Sequence, residues 1–105
     1  MAYAFNDNKT KAEIKKKTVT FTTTSHYSSG ESYGYNFSLE MSQADTFLGM
    51  GAIDASFGNP DVSIRATSFN VFHYNGELYL WVTAAWMGGQ AATALVTITA
   101  EVIYV

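Results

Sequence analysis

The only two histidines of the chain are His26 and His73. His26 stands among hydroxyls in "TTTSHYSSGES". A serine or threonine becomes a nucleophile when a neighbouring base takes its proton. The Gly-x-Ser-x-Gly elbow that presents such a serine is missing, so His26 reads as a loop surface residue. His73 falls on the apolar face of a hairpin, where a partly buried structural histidine is the simpler reading. The sequence has no cysteine, which excludes thiolate nucleophiles, disulfides and cysteine-bound zinc. Its carboxylates are scattered, with no His-x-x-x-His and no Asp-x-Asp run. Gly49-Met50-Gly51 lacks the lysine and the strand–loop–helix setting of a phosphate loop. The expectation is a protein that is not an enzyme and holds neither metal nor cofactor.

One constellation remains. Residues 72–81 read "FHYNGELYLW". Asn-Gly between two strand-like runs is the strongest short hairpin signal, because a type I′ turn needs positive φ at both positions. The pairing then sets Tyr74 against Glu77, His73 against Leu78, Phe72 against Tyr79, Val71 against Leu80, Asn70 against Trp81 and Phe69 against Val82. Phe69, Val71, His73, Leu78, Leu80 and Val82 share one face, expected to be the core. Asn70, Phe72, Tyr74, Glu77, Tyr79 and Trp81 share the other. That second face is aromatic with polar edges, and a strand buried on one side only does not call for it. Three occupants fit it: another subunit, a second layer of the same chain, or a sugar ring stacked on the aromatics. In the last case Asn70 and Glu77 are the hydrogen-bond partners.

The elements that must hold this face are strands. From Thr18 the pattern has period two, with Val19, Phe21 and Thr23 on one side of "TVTFTTT". "YGYNFSLE" alternates as well, with Tyr33, Tyr35, Phe37 and Leu39 inward. "AIDASF-GNPD-VSIRA" reads as a hairpin that sets Phe57 against Val62, Ala55 against Ile64 and Asp54 against Arg65. Gly88-Gly89 reads as a turn. "ATALVTITAEVIYV" is a long strand with Ala94, Val96, Ile98, Ala100, Val102 and Tyr104 on one face. Ser42 and Asp45 resemble a capping box for one helical turn over 43–48. Six or seven strands with short turns predict an all-β fold, an antiparallel β-sandwich or jelly-roll-like domain over 18–105. Residues 1–17 are expected to be a short N-terminal arm.

A chain of 105 residues is one domain by length. Charged residues are 14% of it, against roughly 25% in an average domain. Low charge with many aromatics fits a β protein whose surface is partly covered by partner subunits. Five lysines in 1–17 oppose Asp7 and Glu13, while Arg65 alone opposes seven carboxylates in the rest. A lysine cluster can bind phosphates, but no aromatics interleave with it for nucleic-acid stacking. No apolar run is long enough to span a membrane, and the opening residues do not read as a secretion signal.

The opening "MAYAFNDNKTKAEI" resembles the start of small tail-associated structural proteins of phages and prophages of gut bacteria, through Tyr3, Phe5, Asn6, Asp7, Lys9 and Lys11. The Thr- and aromatic-rich body is similar in style to virion proteins and fibre-tip domains. The resemblance implies a virion structural component, tail- or fibre-associated, found in the virion or in the cytoplasm of the producing bacterium. It implies a homo-oligomer, often a trimer, with other virion proteins as partners; the sugar-stacking alternative for the aromatic face adds a cell-surface glycan. It brings no catalytic residues.

Overall fold

A computed structural model describes residues 13–105. Six strands follow one another with no helix among the described residues. They are β1 (Lys15–Tyr27), β2 (Ser32–Ser38), β3 (Phe47–Phe57), β4 (Val62–Tyr74), β5 (Glu77–Gly89) and β6 (Ala92–Tyr104). They form two three-stranded sheets, ordered β1-β6-β3 and β2-β5-β4. Every pairing is antiparallel. The expected all-β sandwich is therefore what the chain builds. The Tyr3–Lys11 motif lies outside the described residues, as does most of the expected arm. Lys15–Lys17 belong to β1.

Alternation builds the core between the sheets. Leu80, Val82, Val96, Ile98, Ala100 and Val102 are fully buried, all from the two central strands, β5 and β6. Each large aliphatic among them contributes about 1.5–3 kcal/mol by leaving water. β1 adds Val19 and β2 adds Tyr35 and Phe37, with the Phe21 and Phe37 rings stacked at 5.2 Å. Those aromatics close the side where β1 and β2, the edge strands of different sheets, lie together.

Tyr27 is the core residue that composition hides. The loop expected at 25–32 is shorter, because β1 continues through His26 to Tyr27. Tyr27 is completely buried and donates to the Ala84 carbonyl oxygen at 2.9 Å. Its hydroxyl also meets that of Tyr35 at 2.9 Å, and Tyr35 donates to Ser25 Oγ at 3.0 Å. Burial pushes the Tyr27 phenol far above its ordinary value, with the Tyr35 hydrogen bond acting the same way. A phenol raised on folding adds stability below its unfolded pKa of about 10, and that stability drains away as pH climbs above it. Denaturant titrations from pH 9 to pH 11 are thus expected to lose stability faster for the native chain than for Tyr27→Phe.

Three sequence expectations are corrected. The 53–66 segment turns as expected, with Asp61 N donating to Asn59 Oδ1 at 2.8 Å. Its arms then enter different sheets. Ala55 pairs with Ile98 and Asp54 with Thr99, while Arg65 pairs with Ala85. The apolar β6 takes β3, and the turn becomes a corner between layers. At 42–45 the reciprocal caps do form, Ser42 N to Asp45 Oδ2 at 3.3 Å and Ala44 N to Ser42 Oγ at 3.1 Å, but they close a turn. Phe47 begins a strand where a helix was expected. Gly88 and Gly89 extend β5, and the chain reverses at Gln90 and Ala91.

Candidate functional site

The Asn75-Gly76 hairpin forms in the expected register, from Tyr74 against Glu77 to Phe69 against Val82. Asn75 has φ 50° and Gly76 φ 77°, which is the type I′ requirement met. Val71, Leu78, Leu80 and Val82 pack inward. Two of the expected core residues do not. His73 is exposed one pair from the turn, where it lines a groove with Met41, Ser42, Gln43 and Asp45. Phe69 is 54% exposed. It follows a bulge at Thr67 and lines a groove with Ala66, Ser68, Gly51 and Ile53, where the free edges of β3 and β4 part.

The other face carries all six predicted site residues on the outside of the β2-β5-β4 sheet. Tyr79 is its centre. The Phe72 ring lies 5.8 Å away, tilted by 35°, and Tyr74 meets it edge-on at 5.4 Å. Such aromatic pairs contribute about 0.5–1.5 kcal/mol beyond their buried area. Glu77 accepts a hydrogen bond from Ser38 Oγ at 3.0 Å, which ties the hairpin to β2. Tyr74 and Trp81 remain 56% and 41% exposed. Among the described residues no second layer covers this face.

β2 supplies what the hairpin pattern missed. Trp81 pairs with Asn70 on one side and with Asn36 on the other. Its indole lies over Gly34, where any side chain would overlap the ring. Glycine here is a seat that fixes the indole in one orientation. Gly34→Ala is expected to lift Trp81 off the sheet at a cost of about 1–2 kcal/mol. A red shift in tryptophan emission with a lower denaturation midpoint checks this.

The remaining polar groups stand elsewhere. His26 Nδ1 meets Thr93 Oγ1 at 2.7 Å, exposed on the outer face of the other sheet. Nearby, Ser28 holds the Glu31 carboxyl below its usual range by hydrogen bonds to it. Among the described residues no three metal-binding side chains gather. The aromatic face thus offers flat rings, two amide side chains and one carboxylate, which suit contact and stacking. Comparison with known protein families, characterised proteins and solved structures finds no match for this chain.

Proposed function

We propose that the chain is a non-catalytic assembly module of a phage or prophage virion, tail- or fibre-associated, which buries its aromatic sheet face against further copies of itself. The observation that carries the assembly reading is the open row of Phe72, Tyr74, Tyr79 and Trp81 in a chain with 14% charged residues. Tyrosine and tryptophan concentrate at subunit contacts, and a patch of this kind is uncommon on a monomer. The virion setting rests on the resemblance of Tyr3–Lys11, and the trimer with it.

Light scattering on the full chain tests the assembly. A clean single-chain mass at micromolar concentration removes it. Tyr79→Ser with Trp81→Ser is expected to weaken the oligomer by about 2 kcal/mol, roughly thirtyfold in dissociation constant. Mass spectrometry of particles purified after prophage induction tests the setting, and absence from those particles overturns it.

A second reading has its own observation. Trp81 is held flat by Gly34 between Asn36 and Asn70, an arrangement that can stack on a pyranose and bond its hydroxyls. Under this reading the module recognises a cell-surface glycan. Titration of the protein with a glycan library should then quench Trp81 saturably. No saturable quenching by any sugar rejects it.

A further inference from the structure

We infer that the free edge of β1 pairs with the β1 edge of a second copy, antiparallel, to make one continuous six-stranded sheet. This contact is separate from the aromatic face and does not depend on it.

The argument begins with the four edges of the sandwich. A strand edge presents unpaired N–H and C=O groups and is a template for another strand unless it is blunted. Three of the four edges are blunted. β2 is only seven residues long. β3 has register breaks between Phe47 and Gly49 and between Met50 and Ile53, and it carries Asp54. β4 has breaks between Ser63 and Ile64 and between Ala66 and Ser68, and it carries Arg65. Bulges of this kind turn an edge away from a partner.

β1 is long and has no register break, and its only charges, Lys15, Lys16 and Lys17, are confined to one end. It keeps thirteen residues in unbroken register with β6, from Lys15 against Tyr104 to Tyr27 against Ala92. From Thr18 to Tyr27 it holds no Asp, Glu, Lys, Arg or Pro. Its outward side chains are Thr18, Thr20, Thr22, Thr24 and His26, which suit a pleated surface paired on both sides. Among the described residues its backbone pairs only with β6.

Charge selects the occupant and its direction. The only cations on the strand are Lys15, Lys16 and Lys17, all at one end. A parallel copy would set three lysines against three lysines. An antiparallel copy with full overlap centres on Phe21 and sets Thr20 against Thr22, and Thr18 against Thr24. It also brings each lysine end beside the partner's Tyr27 end, where the next loop carries Glu31 as a carboxylate held below its usual range. A second copy therefore supplies both the long unbroken edge and the opposite charge. The contact is two-fold, so it joins pairs whether or not the aromatic face builds a three-fold.

Two experiments on the full chain decide this. The first introduces Thr20→Lys with Thr22→Lys, which sets lysines against lysines at the centre of the contact while leaving both sites exposed in the single copy. Light scattering is expected to find the wild-type mass halved, with the native circular dichroism spectrum retained. The second uses the absence of cysteine. A mixture of Thr18→Cys and Thr24→Cys chains should link through a short bis-maleimide, and neither chain alone should link with itself. Linking of each chain with itself but not of the mixture would mean parallel pairing and overturns the inference. So does a mixture that never links, or a double-lysine variant that folds and keeps the wild-type mass. If the lysines unfold the chain, the crosslink decides. Tyr79→Ser with Trp81→Ser leaves the crosslink in place if the two contacts are independent. A crosslink that persists while that pair changes nothing in the mass assigns the failure to the aromatic face.

Discussion

Tyr27→Ala is expected to lower stability by about 4 kcal/mol, within the range for removing a buried aromatic side chain. The side chain is fully enclosed, with Tyr33 at 5.0 Å and Phe57 at 5.5 Å, both edge-on. It also joins three strands. β1 carries it, its hydroxyl reaches the Ala84 carbonyl on β5, and Tyr35 on β2 completes the hydroxyl chain. A domain of this size holds roughly 5–15 kcal/mol in all, so this one change removes a large share. The midpoint of thermal unfolding should fall by roughly 20 °C. Tyr27→Phe keeps the ring and loses only the hydrogen bonds, for about 1–1.5 kcal/mol. Equal losses for the two variants would mean that the hydroxyl chain, and not the filled volume, is what this position supplies.

Gly89→Ala is expected to cost about 3 kcal/mol. Gly89 has φ +113°, a region that side chains rarely enter. A Cβ there would also overlap the carbonyl oxygen of Asp61. That oxygen is committed to the Gln90 N–H at 2.9 Å, so it cannot simply move aside. Gly88 is the control, because a Cβ built on it meets nothing. Gly88→Ala should fall within about 0.5 kcal/mol of the native chain. Urea denaturation of the two variants side by side reads the difference directly. A Gly89→Ala chain as stable as Gly88→Ala would show that the 58–61 corner yields freely.

Periodicity made some of this fold readable. Val19 and Phe21, Tyr35 and Phe37, and Val96 to Val102 all fall inward as their alternation requires. Asn75-Gly76 set a register that held through six pairs. The corner at Asn59 shows where such reasoning stops. Phe57 and Val62, or Ala55 and Ile64, belong inside whether the arms pair in one sheet or face each other across two. Local pattern is the same in both cases, and only competition for β6 separates them. Tyr27 was hidden for another reason. Serines and a histidine surround it and read as loop by composition, although Ser25 and His26 belong to β1.

The site followed the same division. Its six hairpin residues share a face because a two-residue turn dictates it. Gly34, Asn36 and Ser38 join them only because β2 lies beside β5, and neighbour order between distant strands leaves no short-range trace. The signal that was present is the unbroken alternation of Tyr33, Tyr35 and Phe37 around Gly34 and Asn36, which marks a glycine on a solvent face with no turn to explain it.

The pairing of β1 with β6 has a kinetic consequence. Among the described strands, the first to be synthesised waits for the sixth before its main chain is paired. The 74–77 turn can close locally in microseconds, but the sheet containing β1 must bring together residues from opposite ends of the domain, and long-range closure of that kind is slow. During synthesis the threonine-rich segment therefore travels unpaired and uncharged, and the lysines that precede it are what keeps it soluble in that interval.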